Sequence, residues 1–142
     1  IAGLGAACRL AANDLAEEGA RVGARRDELV ERLRASVPDL AVHGQDAPRL
    51  PNTASVRFPG VSGRALVASV RGVAASAGSA CHEGGEETPS AVVTAMGVGP
   101  KDALGTVRLS LGRSTTAADV AAAAERLVAA WRELRRGISP RP

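Results

Sequence analysis

From Leu4 to Leu33 the apolar residues Leu4, Ala7, Ala11, Leu15, Val22, Leu29 and Leu33 recur at helical spacing, giving one stripe fit for burial. The segment from Ala2 to about Ser36 is thereby committed to one long helix, or to two joined near Gly19. Its opposite face carries Glu17, Glu18, Arg21, Arg25, Arg26, Asp27 and Glu28, the mixed charge of a solvated surface with i,i+4 pairing. At 142 residues the chain suits a single domain with a modest core. That core must be aliphatic, because the 45% apolar fraction is mainly Ala, Val and Leu, with Phe58 and Trp131 as the only aromatics.

Pro38 stops the helix, and LAVHG makes a short strand-like run before QDAPRLPN, whose prolines cannot join a central ladder. TASVRF alternates and ends at Pro59 and Gly60. Ser62 is an N-cap for a helix over GRALVASV, and Gly72 breaks that helix before VAASA, read as another short strand. Thr88 or Ser90 caps AVVTAMG, which closes at Gly97, and TVRLSLG after Gly105 alternates as a strand. TTAADVAAAAERLVAAWRELRR is a capped C-terminal helix ended by Gly137 and a Pro-rich tail. The predicted class is α+β, with helices against a small mixed or antiparallel sheet.

Cys8 and Cys81 are the only cysteines, and no secretory leader precedes them, which argues for free thiols in a reducing, cytoplasmic compartment. No apolar run nears the roughly 20 residues of a membrane span, so a soluble protein without membrane partners is expected. The net charge of +3 and pI of 9.6 invite a nucleic-acid reading. The arginines are balanced by nearby Asp and Glu, and aromatics for base stacking are missing, so nucleic acid is not an expected partner. The chain starts at Ile1 and runs straight into the first helix, as a piece of a longer protein would.

Two stretches carry chemistry. In SAGSACHEGG the small residues Gly78, Ser79 and Ala80 precede Cys81, and Gly84 and Gly85 follow His82. An exposed thiol on an open loop suits a reactive cysteine, whereas Cys8, at an apolar position of the first helix, should be shielded. Small-residue loops also arise for purely conformational reasons. A metal site built from Cys81, His82 and His43 or Cys8 competes, although the paired ligands usual for zinc are missing. In VRLSLGRSTT, Arg108 shares a strand face with Ser110 and Gly112, opposite Val107, Leu109 and Leu111, and Arg113 follows the glycine. A guanidinium fork there either grips a carboxylate in two parallel hydrogen bonds or lies along apolar surface with its head in water.

Together SAGSACHEGGEETPSAVVTAMGV, VRLSLGRSTT, RLPNT at Arg49 to Thr53 and AGLGAAC at Ala2 to Cys8 resemble the C-terminal part of the class V aminotransferase-like enzymes, which include cysteine desulfurases and selenocysteine lyases. The resemblance implies the small C-terminal domain of a fold-type I pyridoxal-phosphate enzyme. Residues 37–142 match that domain, and residues 1–36 match a helix linking it to an absent large domain. It also implies removal of sulfur or selenium from L-cysteine or L-selenocysteine to give L-alanine. Cys81 matches the family's chalcogen-handling thiol, and Arg108 matches the arginine that grips the substrate carboxylate. Cys followed by His is closer to the lyase branch, while GSAC is common among desulfurases. The family holds pyridoxal phosphate on a lysine of the large domain, and Lys101, the sole lysine here, lies in GVGPKDALG, unlike that motif. The isolated chain is therefore expected to be inactive, with homodimerisation and a sulfur or selenium acceptor protein as properties of the full enzyme. The other reading is a non-catalytic sulfur-carrier or binding module.

Overall fold

The computed structural model describes residues 1–78 and 87–138. Helix α1 (Ala2–Ser36) leads into strands β1 (Ala41–His43) and β2 (Thr53–Arg57), helix α2 (Gly63–Ser69), two short helices α3 (Ala91–Ala95) and α4 (Pro100–Leu104), strand β3 (Thr106–Ser110) and helix α5 (Ala117–Ile138). The strands form one antiparallel sheet in the order β1-β2-β3. Alternation sorts its two faces. Ala54 and Val56 of β2 and Val107 and Leu109 of β3 point into the core, where α1, α2 and α5 cover them. Phe58, Leu33, Leu66 and Leu127 complete an aliphatic centre around one aromatic ring.

Local chemistry fixes the helix ends. Ser62 Oγ accepts the Ala65 amide at 3.1 Å at the start of α2. Ahead of α5, Thr116 Oγ1 accepts the Asp119 amide at 3.1 Å while Asp119 accepts the Thr116 amide at 2.9 Å, a reciprocal capping box. The Thr116 hydroxyl also donates to Asp119 Oδ2 at 2.7 Å, and that bond, helped by the Thr116 amide, holds the Asp119 carboxyl below its ordinary pKa. The turn into β3 leaves no room for a side chain at Gly105: an added Cβ would lie 2.6 Å from the Phe58 carbonyl oxygen.

Several expectations from sequence change. Helix α1 is unbroken, but its apolar stripe splits into two halves. Val22, Leu29 and Leu33 are buried, whereas Leu4, Ala7, Ala11 and Leu15 are exposed, because α5 and the sheet reach only the C-terminal half. Cys8 lies on that overhang and is exposed, not shielded. Arg26, assigned to the solvated face, is buried at 9% exposure, since it shares the face of Val22 and Val30 and donates to the Leu50 carbonyl at 3.2 Å. The VAASA run is not a strand. It touches β3 through a single bridge, Ser76 to Arg108, and a cavity of about 300 Å³ opens where Gly72–Ala74 diverge from Leu109–Leu111. Helix α4 occupies the stretch between AVVTAMG and TVRLSLG, to which the sequence assigns no element, with Pro100 starting it, and α5 runs past Gly137 to Ile138.

Candidate substrate-anchoring site around Arg108

The sheet face turned away from the core is polar by alternation. Thr53, Ser55 and Arg57 of β2 stand beside Thr106, Arg108 and Ser110 of β3. Register aligns His43, Ser55 and Arg108 in one row across the three strands. Ser76 extends that row as a fourth member: its amide donates to the Arg108 carbonyl at 3.2 Å, and the Arg108 amide donates back at 2.7 Å. The Arg108 guanidinium also reaches Ser76 Oγ at 3.3 Å.

The two arginines of this face differ in what holds them. Arg57 is spoken for, paired with Asp102 at 2.9 Å and donating to the Asp39 carbonyl at 2.9 Å. Arg108 is exposed and makes no ion pair among the described residues, so its fork keeps donors free for a planar anion. His43 meets Thr106 Oγ1 at 3.1 Å, and burial, aided by the Arg57 charge, lowers its pKa and favours the neutral ring. Among the described residues the row thus presents one cation without an ion pair, beside neutral hydroxyls and an imidazole.

The segment from Val73 to Gly78 is anchored on Arg108 at Ser76, and beyond the gap Glu87 accepts from Ser62 Oγ at 2.5 Å. Cys81 and His82 lie between these anchors, outside the described residues. Of the other sequence candidates, Cys8 sits on the α1 overhang and His43 on the sheet. Among the described residues no group of three His, Cys, Asp or Glu is placed to hold a metal ion. Lys101 is exposed in the first turn of α4 and lines neither the cavity beside β3 nor the groove between α1 and α5. Arg113 is not part of the Arg108 row. It turns to α1 and pairs with Asp14 and Glu18. Sequence reading missed Ser76, Ser55 and His43 as neighbours of Arg108, because only strand register brings residues so distant in the chain together.

Residues 1–122 match the Aminotransferase class-V family. The chain belongs to that family. A cysteine desulfurase of Frankia sp. is 43% identical over 129 residues, which cover 88% of this chain and 30% of the relative. An IscS-like cysteine desulfurase of Mycobacterium tuberculosis is 41% identical over 94% of this chain and 35% of its own length. The X-ray structure of a NifS-like protein from Rickettsia africae superposes with a TM-score of 0.74 at 25% identity, covering 95% of this chain and 34% of that one. The class-V chain described here thus spans about a third of the length of relatives named as cysteine desulfurases, and pyridoxal phosphate is the cofactor this family implies. Among the described residues no helix is long and apolar enough to cross a membrane.

Proposed function

We propose that this chain is the substrate-gripping, thiol-bearing part of a pyridoxal-phosphate-dependent cysteine desulfurase, with Arg108 as the carboxylate clamp and Cys81 as the sulfur acceptor. The observation that carries the reading is the exposed Arg108 fork, without an ion pair among the described residues and bonded through backbone and side chain to Ser76, from which the chain continues toward Cys81. A fork fixed on a strand meets a carboxylate in two parallel bonds and sets the direction in which the substrate sulfur points. The Cys81 thiolate then takes the sulfur as a persulfide. The electron pair of the broken carbon–sulfur bond stays with carbon, and a proton completes the methyl group of alanine. L-Cysteine is the favoured substrate because the relatives at 41–44% identity are named cysteine desulfurases, and L-selenocysteine is the competing one. In this reading Lys101, exposed on α4, does not hold the cofactor, which belongs to residues outside this chain.

In this reading residues 37–142 form the small domain, and α1 runs out to the remainder of the protein, its bare stripe of Leu4, Cys8, Ala11 and Leu15 packing there. Homodimerisation and transfer of sulfur from Cys81 to an acceptor protein complete the proposal. The test uses the polypeptide extended upstream of Ile1 to the length of its relatives, assayed for alanine release with cofactor absorbance followed in parallel. Arg108→Lys should lower kcat/KM for L-cysteine by roughly ten- to a hundredfold, the loss expected for a charge-assisted bidentate pair of about 1.5–3 kcal/mol. Cys81→Ser should abolish turnover. Full activity of Arg108→Lys would return Arg108 to a surface role. A Cys81 that carries persulfide without any alanine release would favour the sulfur-carrier reading.

A further inference from the structure

The overhanging half of α1 has little to hold it, and what holds it converges on one residue. Among the described residues, the polar contacts that α1 makes with another element ahead of Gly19 all run to Arg113. Its guanidinium pairs with Asp14, and its Nε lies 3.8 Å from Glu18. Glu18 pairs in turn with Arg21 at 2.9 Å, and Arg21 donates to the Arg113 carbonyl, closing the circuit. These side chains flank Gly19 on both sides, and a glycine inside a helix is about 1 kcal/mol less favourable than alanine. The circuit therefore spans the weak point of the helix.

Its other end is rigid. Leu111 donates its amide to the Asn52 carbonyl at 2.8 Å, and the Gly112 amide and Thr115 hydroxyl meet at 3.0 Å, so Arg113 stands on a bonded turn that continues β3 directly. The remaining ion pairs of α1 differ: Arg25–Glu28, Arg32–Glu28 and Arg34–Glu31 lie within the helix, and Arg26 and Arg49 act on its buried half.

We infer that Arg113 is a positioning residue, a latch that fixes the direction of the α1 overhang relative to the strand bearing Arg108. Its effect is angular. Exposed ion pairs contribute at most about 1 kcal/mol to stability, and Arg113 is 62% exposed. Yet the overhang is a long lever: Ile1 lies about 27 Å from Gly19 at 1.5 Å per residue, so a 10° swing moves it by about 5 Å. If α1 leads into the cofactor-bearing remainder, such a swing would displace Arg108 from the reacting atoms by more than catalysis tolerates. That consequence rests on the proposed function, whereas the latch itself does not.

The test reads the angle without activity. In the 142-residue chain with Cys81→Ser, spin labels on the exposed Cys8 and on Glu133→Cys report the overhang-to-body distance by double electron–electron resonance. Cys8 is about 16 Å from Gly19, so loosening by 10° either way should spread the distance distribution by about 3 Å on each side. Arg113→Gln should broaden or shift it, 1 M NaCl should do the same to the unsubstituted chain, and Arg113→Lys should restore most of the original width. Arg34→Gln, which breaks an ion pair on the packed half, should leave it unchanged. An Arg113→Gln distribution identical to that of the parent overturns the latch, as does equal broadening by Arg34→Gln. Loss of desulfurase activity on Arg113→Gln in the extended polypeptide with Cys81 intact, beside an unaltered distribution, would spare the functional proposal while still rejecting the latch.

Discussion

Leu15 and Leu29 lie on one helical stripe with the same side chain, and the fold gives them opposite surroundings: Leu15 is 70% exposed and Leu29 is 4% exposed. Replacing each with alanine in the 142-residue chain therefore measures what covers α1. Leu29→Ala removes buried methyl groups beside β2, β3 and α5, for which the transfer and cavity terms together come to about 2.7–5 kcal/mol. At Leu15 only some 30% of the side chain is withdrawn from water, worth about 0.5–0.9 kcal/mol by area. Alanine retains part of that burial and has the better helix propensity, so the net loss should stay below about 0.5 kcal/mol. Urea unfolding followed by the fluorescence of Trp131, whose Nε1 donates to the Pro59 carbonyl at 3.0 Å, reports both. With a slope of about 1.5 kcal/mol/M, the midpoint should fall by about 2–3 M for Leu29→Ala and by about 0.3 M or less for Leu15→Ala. Equal shifts would refute the reasoning, for the overhang would then be covered in solution. In the polypeptide extended upstream of Ile1, Leu15→Ala should cost several-fold more than in the short chain.

Burial, aided by the Arg57 charge, lowers the pKa of half-buried His43, so below the ordinary value the unfolded chain binds more protons and stability rises with pH. The contribution is fully present above the ordinary value of 6.5 and is lost as pH falls from there toward the lowered folded value. Unfolding midpoints of His43→Gln should lose that dependence below about pH 6.5, and an unchanged slope would count against a lowered pKa at half-buried His43. Gly105→Ala should lower Tm by about 4–12 °C, the range expected for forcing a methyl group into a packed turn at about 1–3 kcal/mol, because its Cβ would meet the Phe58 and Val61 carbonyl oxygens at 2.6 and 3.1 Å. Gly137→Ala, with nothing within 4 Å, should leave Tm unchanged or raise it.

Periodicity, punctuation and motif were enough for much of this molecule. The spacing of apolar residues in α1 and α5, the alternation of TASVR and TVRLS, and the caps at Ser62 and Thr116 are local properties, so the elements they specify are legible from neighbouring residues alone. The polar face of Arg108 and Ser110 followed in the same way from the two-residue period of a strand. The family was equally legible, because its motifs lie in order along the chain.

What the sequence left open depended on partners distant in the chain. A stripe shows that a helix has a face to bury and says nothing of how far its cover extends, and α1 outruns α5 and the sheet, leaving Leu4, Cys8 and Leu15 bare. VAASA has the composition of a strand, but β3 accepts it only at Ser76 before the backbone diverges around a cavity. Arg26 reads as a surface charge until the 49–51 segment folds over it and supplies the Leu50 carbonyl. Arg108 and Arg113, five residues apart in one motif, part company because β3 ends between them: strand register holds the first on the sheet face beside Ser76, while the turn after Gly112 swings the second onto the carboxylates of α1. Local pattern fixes which way a side chain leaves its own element, and only the packing of elements decides what it meets there.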